Sequence, residues 1–277
     1  MKITELRNSP PLLIISIFLL VLAIGKIPIK EYLVFSYSTS DKLETILISS
    51  ILVCILIAII HKLRIPHSYF SFIDRRTYIY YLPAIIYVFV FTNGFNDFLS
   101  MRYSTLNSAQ ISLYGAEAFS GALFEEILFR GLVFGVLLNK YYDSKNGILK
   151  SVLISSFIFG LAHIENIWTQ PQISTRGTLN QVYATTCLGV MYCATYVKTR
   201  SVVVLSVLHF ISNFSAGIGE LAGSAIIIEP VSRHKTIIEI IASYMLIAVI
   251  YGSSLLIGLY ILKHTTREEV EEFAGRS

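Results

Sequence analysis

Hydrophobic and polar residues are arranged along this chain in long blocks. Apolar runs, each long enough to form a helix that crosses a hydrocarbon layer about 30 Å thick, are separated by polar connectors. The predicted spans are 11–29, 44–61, 78–96, 108–139, 147–165, 178–197, 201–219 and 236–262. The pattern therefore predicts an all-α fold, a polytopic transmembrane bundle of about eight helices.

The composition supports this fold class. The 277 residues are 54% hydrophobic and 14% charged, and the mean hydropathy is +0.65. Soluble domains carry about 25% charged residues, so no sizeable soluble domain fits into the chain. The three cysteines all lie in apolar runs and have neither zinc-site nor disulfide spacing.

Basic residues are unevenly distributed between the connectors. Those after the second, fourth, sixth and eighth spans hold more lysine and arginine than the opposite ones, for example Lys62, Lys145, Lys198 and Lys263. The positive-inside rule then places both termini in the cytoplasm. We expect a multi-pass integral membrane protein, in the plasma membrane if the source is bacterial, with a cytoplasmic tail in which residues 267–272 form a solvated helix end. The charge of +4 gives no sign of a nucleic-acid partner.

One apolar run contains three ionisable side chains in the stretch Phe124–Gly131. Charged groups at membrane depth are costly, which makes them candidates for function. Glu126 and Arg130 are four residues apart and share a helix face, so they are predicted to pair. Glu125 points about 100° away and has no cation nearby in sequence, which suits a proton-accepting base. An ion pair that only joins helices is the alternative.

Two further spans carry polar groups at helical spacing. Phe159 and His163 are four residues apart in the fifth span, and His209 and Asn213 are four apart in the seventh. Alone, these residues could be a helix-end histidine and an interhelical hydrogen bond. At 1.5 Å per residue, however, Glu125, His163 and the pair His209–Asn213 all lie roughly 12–22 Å from the predicted cytoplasmic ends of their helices. They are therefore expected to meet in one cavity, as a metal site or an acid/base site for hydrolysis.

These three segments resemble the E-E-x-x-x-R, F-x-x-x-H and H-x-x-x-N motifs of the CPBP family, the CAAX prenyl and Abi (bacteriocin-processing) intramembrane proteases. The resemblance covers roughly residues 108–217. It implies an α-helical membrane endopeptidase. The site residues that it implies are Glu125, Glu126, Arg130, His163, His209 and Asn213.

The resemblance also implies a role for each of these side chains. Glu125 is the expected acid/base, and His163 is expected to help it to activate water. The pair His209 and Asn213 is expected to stabilise the oxyanion or to hold a metal. The remaining two residues, Glu126 and Arg130, are expected to support the others.

The sequence leaves the cofactor open. The family is classed as metalloproteases, and a zinc ion would be held by Glu125, His163 and His209. The chain has no H-E-x-x-H motif, and a carboxylate with two neutral imidazoles can activate water without an ion, which favours a metal-free site over a zinc site. The expected partners are the lipid bilayer and a membrane-associated protein or hydrophobic peptide, either a prenylated CAAX protein or a bacterial peptide precursor.

Three parts of the chain are distinguished. Residues 1–107 are three N-terminal spans without a motif, residues 108–219 are a catalytic core of four spans, and residues 220–277 are the last span and the tail. Two other functions fit a buried cluster of Glu, His and Arg, namely a proton-coupled transporter and a catalytically silent membrane scaffold. A transporter would be expected to have broken helices in two related halves, which the sequence does not show.

Overall fold

A computed structural model gives the arrangement of the helices. It describes residues 9–27, 29–32, 37–68, 79–91, 107–169, 174–221 and 236–274. Within these ranges all regular structure is helical, which confirms the predicted all-α class.

The described helices follow the predicted apolar blocks. They are α1 (Pro10–Gly25), α2 (Tyr37–Leu63), α3 (Leu82–Phe91), α4 (Ser108–Glu126), a π-helical segment (Ile127–Phe134), α5 (Gly135–Tyr141), α6 (Gly147–Ala162), α7 (Asn166–Thr169), α8 (Thr175–Thr199), α9 (Val202–Leu221), α10 (Ile237–Lys263) and α11 (Arg267–Phe273). Short 3₁₀ turns cover Ile29–Tyr32 and His163–Glu165.

Three of these helical stretches are long and apolar enough to cross a membrane within the described part of the chain. They are Ser38–Leu63, Gly147–Thr169 and Ile237–Lys263, and two shorter apolar helices are Pro11–Gly25 and Val202–Ser215. The protein is therefore an integral membrane protein, while the number of eight spans stays a prediction. The third predicted span, 78–96, contains only α3, and its last residues lie outside the described ones.

Helix α8 lies in the middle of the bundle and packs against α6 on one side and α10 on the other. Small residues allow both close approaches. A methyl group on Gly258 of α10 would lie 2.8 Å from the backbone nitrogen of Met191, and one on Gly160 of α6 would collide with Thr186. Residues 191–197 of α8 are consequently all buried.

A second group of packed helices lies around α4, which packs against α9 and α2. The chain continues from α4 through the π-helical segment into α5, so the predicted span 108–139 is one continuous helical rod with a widened middle. Gly135 follows that middle, where a methyl group would lie 2.5 Å from the carbonyl oxygen of Pro66. The rod is thus held against the chain that leaves α2.

Residues 267–272 do lie in a helix, as expected, but the expectation that this helix is solvated was wrong for one of its faces. Helix α11 begins with a Thr266 capping box and buries two apolar side chains, Val270 and Phe273. The ring of Phe273 packs edge-on against that of Tyr196, with centroids 5.0 Å apart. The two apolar residues, three apart, form one face of the short helix, which covers the end of the bundle.

Candidate active site

The charged stretch lies where the rod changes from α-helix to π-helix. Glu126 is the last residue of α4, and Arg130 lies inside the π-helical segment. Their side chains form the predicted ion pair, with Arg130 Nε 3.0 Å from Glu126 Oε2. Both are fully enclosed, at 1% and 0% exposed. Wide π turns often occur at functional sites.

Contacts from α6 and α8 hold this segment. The Ser155 hydroxyl donates to the backbone carbonyl of Phe129, 3.2 Å away, inside the π-helical segment. The Arg130 guanidinium carbon lies 4.4 Å from the ring centre of Phe159 and 5.6 Å from that of Tyr192. Two aromatic faces thus flank the guanidinium, an arrangement that favours a desolvated cation.

His209 joins the pair from the opposite side. Its Nδ1 lies 2.9 Å from Glu126 Oε1, so the Glu126 carboxylate binds Arg130 with one oxygen and His209 with the other. Because a carboxylate paired with arginine is an acceptor, Nδ1 of His209 is the donor. In the neutral ring, Nε2 is then left with a lone pair.

Glu125 lies on the free side of that imidazole. Its Oε2 atom is 3.8 Å from His209 Nε2, which is too long for a direct hydrogen bond and short enough for both atoms to bind one water molecule. The Glu125 side chain is 30% exposed, unlike that of Glu126. The two adjacent carboxylates therefore have different surroundings, as the helix geometry predicted.

His163 follows the last residue of α6, in a 3₁₀ turn. Its Nδ1 donates to the carbonyl of Phe159, 3.0 Å away, so Nε2 of the neutral ring carries the lone pair here as well. The Phe159 ring packs edge-on against the imidazole, with centroids 5.2 Å apart. This is the packing that the four-residue spacing predicted.

Asn213 lies one turn beyond His209 on α9, and its side chain is exposed. Its backbone carbonyl accepts a hydrogen bond from the Tyr114 hydroxyl at 3.2 Å. In the described part of the chain, neither Asn213 nor His163 makes a hydrogen bond to the cluster of Arg130, Glu126, His209 and Glu125. We refer to these four residues as the ion cluster.

A cavity of about 1110 Å³ connects these residues. It is lined by Glu125, His163, His209 and Asn213, and by side chains of α1, α3, α8 and α10. The structure therefore brings all four to one cavity. The buried pair of Glu126 and Arg130 lies behind the cavity wall.

The expected zinc ligands do not form a metal site. Among the described residues, no three His, Cys, Asp or Glu side chains are placed to hold a metal ion. Glu125 Oε2 and His209 Nε2 lie 3.8 Å apart, but His163 is not placed with them so that the three could hold one ion.

Several residues of the site carry no motif signal. Tyr192 flanks Arg130 and lines the cavity, and Asn166, Asn180 and Gln181 line it further along. A polar face on the apolar helix α8 was the available signal, since Asn180, Gln181 and Thr185 recur within two turns. The contact between Glu126 and His209 could not be foreseen because the residues are on different helices.

Comparison with known protein families bears on the same region. Residues 107–215 match the family model of Type II CAAX prenyl endopeptidase Rce1-like proteins. The chain carries an Rce1-like domain. This match agrees with the resemblance to CPBP proteases, and the Rce1-like domain contains the entire ion cluster, His163 and Asn213. A search of curated proteins and one of solved structures gave no match.

Proposed function

We propose that this protein is an intramembrane endopeptidase in which Glu125 and His209 activate the attacking water. The observation that carries the proposal is the alignment of three groups. Glu125 Oε2 lies 3.8 Å from His209 Nε2, and His209 Nδ1 lies 2.9 Å from Glu126. This arrangement borders a large cavity within a domain whose family is that of CAAX-type proteases.

The hydrogen bonds around His209 favour one tautomer. Glu126 accepts the proton on Nδ1, so Nε2 and the Glu125 carboxylate are two acceptors that face each other. A water molecule placed between them donates a hydrogen bond to each and presents its oxygen lone pair to the cavity. An oriented imidazole backed by a buried carboxylate is a recurring arrangement in hydrolysis.

The reaction transfers one water molecule across a peptide bond. Glu125 takes a proton from the water as its oxygen attacks the carbonyl carbon, and the carbonyl oxygen becomes an oxyanion. When the tetrahedral intermediate collapses, the carbon–nitrogen bond breaks and Glu125 returns the proton to the leaving nitrogen. The products are a carboxylic acid and an amine, and the site is regenerated.

The other site residues have supporting roles in this proposal. Glu126 is enclosed between Arg130 and His209, so it orients the imidazole and is not the base. The Asn213 amide lines the cavity and is a donor for the oxyanion. His163 lines the cavity with an accepting Nε2, and it assists the proton transfer at Glu125.

The proposed substrate is a membrane-associated protein or a hydrophobic peptide, cleaved at membrane depth. The family match supports protein hydrolysis over the two rival functions, transport of protons with a solute and a silent scaffold. A prenylated CAAX protein and a peptide precursor are both substrates of this chemical kind. Both termini are proposed to lie in the cytoplasm, on the basis of the charge distribution.

A cleavage assay with a labelled library of membrane peptides tests the proposal. Wild-type protein is compared with Glu125→Gln, which keeps size and hydrogen bonding but cannot accept a proton from water. The matched control is Glu268→Gln, the same exchange at an exposed carboxylate of α11 that does not line the cavity.

We expect wild type and Glu268→Gln to release the same fragments, and Glu125→Gln to release them at least about 10²-fold more slowly. The proposal fails if wild type cleaves no member of the library, or if Glu125→Gln cleaves at the wild-type rate.

A further inference from the structure

Amide side chains line the part of the cavity formed by α7 and the first half of α8. They are Asn166, Asn180 and Gln181, and none belongs to the three motifs. The proposed water activation at Glu125 does not use them. Polar groups in a membrane-embedded cavity are costly unless they are satisfied by a partner or by a ligand.

The amide of Gln181 is held in a fixed orientation. Asn166 Nδ2 donates to Gln181 Oε1 over 2.9 Å, and Asn166 itself is only 8% exposed. This bond occupies the Gln181 carbonyl and leaves its NH₂ group as a donor. That NH₂ group has no hydrogen-bond partner among the described residues.

Asn180 is next to Gln181 on the same helix and also lines the cavity. Its side chain has no hydrogen-bond partner in the described part of the chain, so both its carbonyl and its NH₂ group are available. Together, the two side chains offer donors and an acceptor to a guest molecule in the cavity.

A peptide cleaved at membrane depth needs such groups. Its scissile segment has to be extended to expose the carbonyl carbon, and extension breaks the helical hydrogen bonds of the segment. The freed N–H and C=O groups then require partners in a region with little water. Side-chain amides suit them because each amide can both donate and accept.

We propose that Asn180 and Gln181 form a subsite that hydrogen-bonds the main chain of an extended peptide segment, with Asn166 positioning Gln181. The subsite recognises backbone amides and not particular side chains. It rests on the proposed peptidase function, because the bound segment is the one presented to Glu125.

The test measures binding to full-length Glu125→Gln protein in detergent, so that the peptide is not consumed. One probe is a fluorescent decapeptide of alternating leucine and alanine. The second has the same side chains joined by backbone esters, which lack the N–H donors and have weaker carbonyl acceptors. Gln181→Leu and Asn180→Leu are compared with Gln110→Leu, an exposed residue of α4 outside the cavity.

We expect the amide peptide to bind about tenfold more tightly than the ester. Gln181→Leu and Asn180→Leu should each remove most of this preference, because each should weaken the binding of the amide peptide and leave the binding of the ester unchanged. Gln110→Leu should retain it. Equal affinity for both probes, or no binding of either, would overturn the subsite.

If the Asn166–Gln181 hydrogen bond has only a structural role, the result is different. Gln181→Leu would then weaken the binding of both probes equally and would lower the melting temperature of the protein. That outcome also overturns the subsite. Amide-dependent binding by a protein whose wild type cleaves no peptide would refute the peptidase and keep the subsite. Cleavage without any amide preference would refute the subsite alone.

Discussion

Glu126 and Glu269 are both paired with a basic side chain, but their surroundings differ. Glu126 is 0% exposed and lies between Arg130 and His209 in the middle of the bundle. Glu269 of α11 is 33% exposed, and its Oε1 atom is 2.7 Å from Lys198 Nζ at the end of the bundle. The same kind of ion pair thus occurs once in an enclosed position, at Glu126, and once in contact with solvent, at Glu269.

The comparison shows what each pair contributes. Enclosed charges lose their hydration, so the pair adds little net stability, yet it fixes the position of each partner and is costly to break. An ion pair at the surface is worth about 0–1 kcal/mol. The ion cluster is therefore suited to hold His209 in one orientation, whereas the pairs of α11 attach a helix whose docking depends mainly on Phe273.

The two regions should differ most in how much stability is lost when one partner of an ion pair is removed. Arg130→Met leaves Glu126 enclosed without its cation, so we expect a loss of about 3–5 kcal/mol in the free energy of unfolding. Arg267→Met removes an exposed arginine from a pair with Glu271 and should leave that free energy unchanged. Unfolding in mixed micelles measures both, and equal stabilities of the two variants would contradict the comparison.

Removal of the imidazole tests the role of the ion cluster in the reaction. His209→Ala takes away the partner of Glu125 and leaves one oxygen of Glu126 unpaired. We expect the cleavage rate to fall about 10²–10³-fold, and Asn213→Ala to cost a similar factor through the lost oxyanion donor. His264→Ala, at the end of α10, is the matched control and should cleave at the wild-type rate. Wild-type activity in His209→Ala would show that the imidazole takes no part in the reaction.

The apolar contact of α11 should matter more than its charges. Phe273→Ala removes the ring that packs on Tyr196, and we expect α11 to detach while the bundle stays folded. A spin label on position 268, which is exposed on α11, would gain mobility in a Cys54→Ser background. Glu268 itself contributes nothing to the docked face, and an unchanged spectrum in Phe273→Ala would show that the ring does not hold the helix.

Acid should weaken the docking of α11 through two carboxylates. Partial burial acts to raise the pKa of Glu269, but hydrogen bonds from Lys198 and from the Thr266 backbone outweigh it, so the pKa lies below its usual value. Arg200 likewise lowers the pKa of Glu272. The two carboxylates therefore contribute fully to the docking of α11 above the usual glutamate pKa of about 4.3. This contribution is lost as the pH falls through the lower pKa values that they have in the docked helix.

The same spin label measures this effect between pH 7 and pH 3. We expect constant mobility down to about pH 4.3 and a rise below it. The rise should be smaller in Lys198→Met, where the label is already more mobile at neutral pH. If the mobility of the label rose between pH 7 and pH 5 instead, a titrating group other than these two glutamates would be responsible.

Much of the fold was predictable because apolar blocks define helices. Helices α9 and α10 begin and end within two residues of the predicted 201–219 and 236–262. The pairing of Glu126 with Arg130 was also predictable, since four residues make about one turn. The π-helical segment was not predictable, because nothing in the apolar block indicates a wider turn. The helix α11 was predicted, but the burial of Val270 and Phe273 was not, because four glutamates lie around them in the sequence.

The site was predictable only within each helix. The spacings placed Phe159 beside His163, and the apolar surroundings of His209 required that it have a partner. They could not identify Glu126 as that partner, because the order in which helices pack is not encoded in the period of any one of them. The amides of α8 are visible in the sequence as polar residues of an apolar helix, but the cavity that they face exists only in the assembled bundle.

The central claim is that Glu125, and not its neighbour Glu126, accepts the proton from water. Single-turnover cleavage of a bound peptide in ¹⁸O-labelled water tests it, with the label counted in the new carboxylate. We predict that wild type incorporates one ¹⁸O atom, that Glu125→Gln binds the peptide but cleaves it about 10²–10⁴-fold more slowly, and that Glu126→Gln retains more activity than Glu125→Gln. Full activity in Glu125→Gln, or its loss only in Glu126→Gln, would contradict the account.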